Sequence, residues 1–249
     1  MHIQLFLLLS MAFLLPTGAQ GGEIIGGHEA QPHSRPYMAF LRIQHGDKRS
    51  NCGGFLVSKN VVLTAAHCQG QNITVYLGAH NVKQREWSQQ RIAVRRQIPH
   101  PDYNKKAIKN DIMLLQLSRN ASLTGEVGLI RLTSGRHRMN LSTTCSVAGW
   151  GKTSLPDRTD RLREVELKVM PDAICENRYL NYDASSMLCA GDPNVHKSIY
   201  KGDSGGPLVC HGVAEGIVSK SKRKSIKPPA VYTRISHFLS WIMETMKEM

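Results

Sequence analysis

Residues 201–210 read KGDSGGPLVC. Ser204 stands between an acid and two glycines, and a short apolar run follows. A bare G-x-S-x-G pattern would carry little weight, since Gly and Ser punctuate turns everywhere. GDSGGP is far more specific. Serine is a poor nucleophile unless a base takes its proton, so a base and a group that orients it have to lie elsewhere in the chain. LTAAHC at 63–68 offers His67 at the end of a strand-like run, and NDIMLLQL at 110–117 offers Asp111 at the head of another. Taken singly, His67 reads as an ordinary core or surface histidine and Asp111 as a turn residue. Only their conjunction with Ser204 points to nucleophilic catalysis.

Working outward, the first residues are a leader. IQLFLLLSMAFLL at 3–15 is almost wholly apolar and is followed by small residues at Ala19 and Gly21. An apolar core with a small-x-small exit is a secretory signal, too short to span a bilayer. Cleavage after Gly21 leaves Gly22-Glu23 ahead of Ile24 and about 225 residues, enough for one large all-β unit or two small lobes. No second long apolar run follows, so a soluble, secreted monomer is expected. The 6 cysteines are Cys52, Cys68, Cys145, Cys175, Cys189 and Cys210. An even count in a secreted chain favours three disulfides, with fifteen pairings open. The cysteines are too widely spread for a zinc finger, and no metal or organic cofactor is called for. Sequons begin at Asn72, Asn120 and Asn140.

The chain carries 32 Lys plus Arg against 19 Asp plus Glu, a formal charge of +13. The bland reading is a solvated surface; the sharper one is attraction to a polyanion. RNA-binding aromatic motifs, Cys/His fingers and basic zippers are all missing from the sequence, which sets nucleic acid aside. Secretion points instead to heparin-like sulfated glycans. Short apolar runs bounded by Gly, Pro, Asn and Ser recur along the chain, among them YMAFLRI, VVLTAA, ITVYLGA, REVELKV and AVYTRIS. Runs of this length with regular turns predict a barrel or sandwich. Residues 236–248 place Phe238, Trp241, Ile242 and Met246 near one helical face, with Ser236 as its N-cap. The polar stretch 118–141 reads as a link between lobes.

IIGG, CGGFLVS, LTAAHC, NDIMLL, VAGWG and GDSGGPLVC occur in one order along the chain. In this the chain resembles the chymotrypsin-like serine proteases, and the likeness covers the whole mature sequence. PHSRPYMAF at 32–40, LGAHNV at 77–82 and the Gly-Glu pair before Ile24 resemble the leukocyte granule branch of granzymes, cathepsin G and mast-cell chymase. The resemblance implies an all-β fold of two six-stranded antiparallel Greek-key barrels, about 24–130 and 131–235, with the active site between them and a C-terminal helix at about 236–248. It implies pairs Cys52–Cys68, Cys145–Cys210 and Cys175–Cys189, with Tyr200 where many family members have a cysteine. It also implies a catalytic His67, Asp111 and Ser204, and an oxyanion hole from the N–H groups of Gly202 and Ser204.

The same resemblance gives Ile24 and Asp203 an activating role. The α-ammonium exposed by removing Gly22-Glu23 would pair with a buried Asp203, a dipeptidyl peptidase being the trimming partner; the plainer reading of GGEIIGG is a flexible N-terminus. Serpin-type inhibitors are implied as partners beside protein or peptide substrates, and a secretory granule as the store. The primary pocket would be formed by Ser198 at its base, Ser219, Lys220 and Ser221 along one wall, and Ala230 at the back. Ser198 supplies no charge for Arg or Lys, and Ala230 cannot hold Asp, so cleavage after Phe, Tyr, Leu or Met is expected. Lys220 and Ser221 depart from the aromatic residue and glycine usual in the family. That departure leaves a second reading, a catalytically weak or inactive cationic glycan-binding or antimicrobial protein on the same scaffold.

Overall fold

A computed structural model describes residues 27–135, 138–151, 160–191, 202–221 and 228–249. The leader, Gly22, Glu23, Ile24, Ser198, Tyr200 and the basic run 222–227 lie outside the described residues.

Six strands close the first barrel: β2 (Met38–His45), β3 (Lys48–Ser58), β4 (Val61–Thr64), β5 (Asn72–Leu77), β6 (Gln90–Pro99) and β7 (Met113–Leu117), in the order β2-β3-β4-β7-β6-β5. β4 and β7 are buried along their whole length. That is why VVLT and MLLQL read as continuous apolar runs rather than alternating ones. The second barrel is β9 (Thr144–Gly149), β10 (Arg163–Val169), β11 (Met187–Gly191), β12 (Pro207–Cys210), β13 (Val213–Lys220) and β14 (Ala230–Arg234), closed where β9 pairs with both β10 and β12. The expected architecture of two six-stranded barrels is the observed one.

Several features departed from the sequence reading. β6 was not singled out, because five of its ten residues are Arg or Gln and its outward face is polar. A short helix, α1 (Asp172–Glu176), was also missed; it carries the buried Cys175. β8 (Arg131–Leu132) runs parallel to β13, an exception to the antiparallel rule. β1 (His28–Glu29) pairs with β10, so these residues lie on the second barrel rather than within the first. Disulfides join Cys52 to Cys68, Cys145 to Cys210 and Cys175 to Cys189.

The C-terminal helix α2 (Ile235–Lys247) makes the return crossing. Phe238 and Ile242 enter the core of the first barrel, where Trp241 and Met246 pack against it. Ser236 is not the N-cap. Arg234 holds that position with an extended backbone and no side-chain cap, because β14 runs directly into the helix. Ser236 is buried in the first turn instead.

The His100 ring stands against Phe238 at 5.1 Å and Trp241 at 4.9 Å. Burial holds its pKa below the ordinary value; Asp102 pulls upward and His237 pushes further down. The unfolded chain therefore takes up this proton first as pH falls. The contribution of neutral His100 is complete above about pH 6.5 and is lost as pH falls toward the folded value. We expect His100→Gln to shrink the fall in Tm between about pH 7.5 and about pH 5. A fall as large as in the parent chain would show that the ring contact is not pH-sensitive.

Candidate active site

His67 lies in a single 3-10 turn, Ala66–Cys68, that follows β4. Ala65 and Ala66 are fully buried, and Cys68 is bonded to Cys52 on β3, so the turn is fixed at both sides of the histidine. Asp111 leads into β7 and is 1% exposed. Its Oδ1 accepts the His67 backbone N–H at 2.9 Å, and its Oδ2 accepts His67 Nδ1–H at 2.8 Å and the Ser219 hydroxyl at 2.6 Å. Thr233 Oγ1 donates to the Asp111 carbonyl at 2.8 Å. An ionised carboxylate only accepts, so His67 carries its proton on Nδ1 and presents Nε2 as the basic nitrogen. Burial works against the imidazolium, but the hydrogen bond and charge of Asp111 outweigh it and hold the His67 pKa above its ordinary value.

The turn bearing Ser204 is clamped to the first barrel. The Ser204 carbonyl accepts Gly53 N–H at 2.7 Å and lies 3.8 Å from Cys68 Sγ, beside the histidine turn. Ser204 Oγ and His67 Nε2 share no hydrogen bond among those of the described residues; such bonds are often long before substrate arrives. Gly202 has φ +112°, and a Cβ there would come 2.8 Å from the Gly151 Cα. Gly205 has φ +83°, and its Cβ would meet Thr64 Oγ1 at 2.1 Å and the Gly53 carbonyl at 2.5 Å. The first and second glycines around the serine are thus set by both backbone angle and lack of room. Gly206 continues the turn by donating to the Asp203 carbonyl at 3.0 Å.

Asp203 is completely buried, and its Oδ1 accepts Gly151 N–H at 2.9 Å. A Cβ on Gly149 or Gly151 would overlap this carboxylate, at 2.2 and 2.4 Å from Oδ1. The two glycines of VAGWG are therefore the space in which Asp203 sits.

The other candidates fall around this centre. Ser219 is on β13, with its hydroxyl directed at Asp111. Lys220 follows it, half-buried and paired with Val231 across a register shift at Ser219. Ser221 is exposed, and Ala230 opens β14, buried and paired with Ala190. Asn72, Asn120 and Asn140 are all exposed, as an attached glycan requires. Cys52, His67 and Cys68 bring potential ligand atoms within 4.8 Å of one another, but both sulfurs are consumed in a disulfide and no thiolate is free to bind a metal. The sequence reading missed Thr233, Thr64 and Gly53. Each was visible inside a quoted motif, but its role depends on contacts across the fold.

The Trypsin family profile matches residues 24–242. Cathepsin G of Homo sapiens is 54% identical over 241 residues, covering 97% of this chain and 94% of that protein. Granzyme H of Homo sapiens is 53% identical over 248 residues, covering 99% and 100%. Granzyme B of Homo sapiens is 52% identical over 243 residues, covering 97% and 98%. The solved structure described as "Structure of GrC" aligns with TM-score 0.86 at 46% identity, over 90% of this chain and 99% of that one. No helix among the described residues is long and apolar enough to cross a membrane.

Gly205→Ala tests the clamp. The overlap at Thr64 and Gly53 and the positive φ act together, so we expect a loss on the order of 2–4 kcal/mol in denaturant unfolding. A loss under about 1 kcal/mol would mean that the turn shifts freely.

Proposed function

The chain belongs to the trypsin family of serine proteases, and from that premise we propose a granule-stored endopeptidase in which Ser204 is the nucleophile, His67 the base and Asp111 the group that orients it. One observation carries the reading: His67 is held by a buried carboxylate in the tautomer that leaves Nε2 basic, next to a clamped serine turn.

In the reaction, His67 Nε2 takes the Ser204 proton as Oγ attacks the scissile carbonyl. The oxyanion that develops is met by the backbone N–H groups of Gly202 and Ser204, a contribution of about 3 kcal/mol for each such donor. His67 then gives its proton to the leaving amine. Water, deprotonated by the same imidazole, resolves the acyl-enzyme. Asp111 stays ionised throughout and stabilises the imidazolium. Peptide or protein chains are the substrates, and no cofactor enters. Inhibition by serpin-type proteins and retention by heparin-like glycans belong to the same proposal.

Activation follows from Asp203. A carboxylate this deeply buried is best satisfied by a full positive charge. The α-ammonium of Ile24 supplies one once a dipeptidyl peptidase has removed Gly22-Glu23. Docking of Ile24 would order the Gly202–Ser204 turn.

The buried Ala230 and an uncharged Ser198 favour an apolar side chain before the cut, with cleavage after Phe, Tyr, Leu or Met. The departure at Lys220 and Ser221 favours a second reading, a cationic binding protein without turnover. A fluorophosphonate label separates the two: it reacts with the chain starting at Ile24 and fails after Ser204→Ala if the protease reading holds.

We expect the chain that retains Gly22-Glu23 to be inactive and the chain that starts at Ile24 to be active; equal turnover would sink the activation scheme. In the active form, Asp111→Asn should lower kcat by about 10⁴-fold by releasing the wrong tautomer. The acid limb of kcat/KM marks protonation of His67 and should move to lower pH in the same variant, since Asp111 is what raises that pKa. A peptide library varied only before the cut should favour Phe, Tyr, Leu and Met, and Ala230→Arg should turn the preference toward Asp. Preference of the parent chain for Arg, Lys or Asp would refute the pocket assignment.

A further inference from the structure

Trp87 is 84% exposed on the turn that joins β5 to β6. Its neighbours hold that turn without it. The Glu86 carboxylate accepts the backbone N–H groups of His80 at 2.8 Å and Asn81 at 3.0 Å, and Ser88 Oγ donates to the Gly78 carbonyl at 2.8 Å. Ser88 itself is buried. The indole thus sits between two anchored residues, presented to solvent on a fixed backbone, and adds little to the core.

The ring borders an open depression of about 320 Å³, at the small end of ligand-sized clefts. Arg91, Arg119, Ser122, Thr124 and Glu126 share its lining. A flat apolar face among guanidinium, hydroxyl and carboxylate groups differs from an apolar docking patch, where large hydrophobic residues adjoin one another. It suits a pyranose. The C–H bonds on one face of a sugar ring meet the electron-rich face of the indole, and the hydroxyls at its edge exchange hydrogen bonds with polar neighbours. Thr124 Oγ1 accepts the N–H groups of Glu126 and Val127 at 3.2 and 3.1 Å and keeps an O–H to donate.

A source of sugar stands on the rim. Arg119 and Ser122 flank Asn120, whose sequon Asn120-Ala121-Ser122 follows β7. The segment is held on both sides. Ser118 N–H donates to the Ala93 carbonyl at 2.9 Å, and Ala121 N–H to the Lys59 carbonyl at 2.6 Å. The Gln90 side-chain amide accepts the Ser122 N–H at 2.9 Å and donates to the Ser122 carbonyl at 2.7 Å. Ala121 is buried while Asn120 and Ser122 are exposed, so the acceptor asparagine is open to modification at a fixed place beside the depression. We propose that Asn120 carries an N-linked glycan whose sugars lie back in this depression against the Trp87 indole. The inference rests on the granule-storage reading only for passage through the secretory pathway, where such glycans are attached. The glycan is then a covalent part of the first barrel's surface, covering a ring that the polypeptide leaves open. The sequons are not equivalent in this respect: the cavity that Met139 and Leu141 line beside Asn140 has no aromatic side chain among its described residues.

The test uses the full chain secreted from mammalian cells. Glycopeptide mass spectrometry reads occupancy at Asn120, and acrylamide quenching reads the indoles. The chain has 3 tryptophans, of which Trp150 is buried and Trp241 packs on the core, so Trp87 is the one within easy reach of the quencher. Removing the glycan, enzymatically or as Asn120→Gln, should raise the readily quenched share of emission from near zero to about one third, one ring of 3. The rise should be missing in Trp87→Ala, and Asn72→Gln and Asn140→Gln should leave quenching as in the parent chain. The drop in Tm caused by Asn120→Gln should likewise disappear in the Trp87→Ala background. An unmodified Asn120, a Trp87 quenched equally with and without the glycan, or an equal drop in Tm in both backgrounds would overturn the proposal. Trp87 left open in the glycosylated chain, and covered when free N-acetylglucosamine oligomers are added, would instead assign the depression to the sugars of another molecule.

Discussion

The carboxylate of Asp111 is the group on which the two halves of the molecule agree. Removing an ion from water costs several kcal/mol unless its lone pairs are met. Three donors meet them here, the backbone and ring of His67 from the first barrel and the hydroxyl of Ser219 from the second. Thr233, also from the second barrel, holds the Asp111 carbonyl. Neither barrel alone satisfies this acid. The requirement that it be satisfied aligns β7 with β13 and β14, and the same bonds orient the imidazole. The buried acid proposed to orient the base is in this way also bonded from both barrels.

The serine turn stands at one remove from that acid. Thr64 Oγ1 donates to the Gly53 carbonyl, and Gly53 N–H donates to the Ser204 carbonyl. First-barrel strands thereby grip a second-barrel loop through backbone groups that no substitution can alter directly. What substitution can alter is clearance. Gly205 against Thr64, Gly202 against Gly151, and Gly149 and Gly151 against Asp203 are all contacts that a methyl group would spoil. The glycines of GDSGGP and VAGWG are thus halves of one packing arrangement, each motif making room for the other.

Chain crossings lock the barrels together as well. β1 joins the second barrel before the first begins, and α2 returns to the core of the first after the second is complete. The helix contributes Phe238 and Ile242 to that core. Removing a large buried aromatic of this kind typically costs about 3–5 kcal/mol, so its docking is a substantial part of the stability of the first barrel. Val209, Ala214 and Ile217 of the second barrel belong to the same cluster. The apolar core is consequently continuous across both halves.

The sequence by itself determined most of the strands and put forward the residue types of the proposed chemistry. Ser204 in GDSGGP, His67 after a strand and Asp111 before one were legible because reactive groups need fixed neighbours in the chain, and buried strands need unbroken apolar runs. β6 escaped because its exposed face is rich in Arg and Gln, which hides a strand whose inward residue Ile92 is fully buried. Ser236 misled because a polar residue at a helix start looks like a cap, whereas the register of β14 had already fixed the turn at Arg234. Only the tertiary structure decided that the Ser219 hydroxyl serves Asp111 and that Thr64 and Gly53 grip the serine turn. Each of these relations joins segments far apart in the chain. Local propensity records what a residue asks of its neighbours in sequence, while the partners of a buried charge are set by which surfaces the closed barrels bring together.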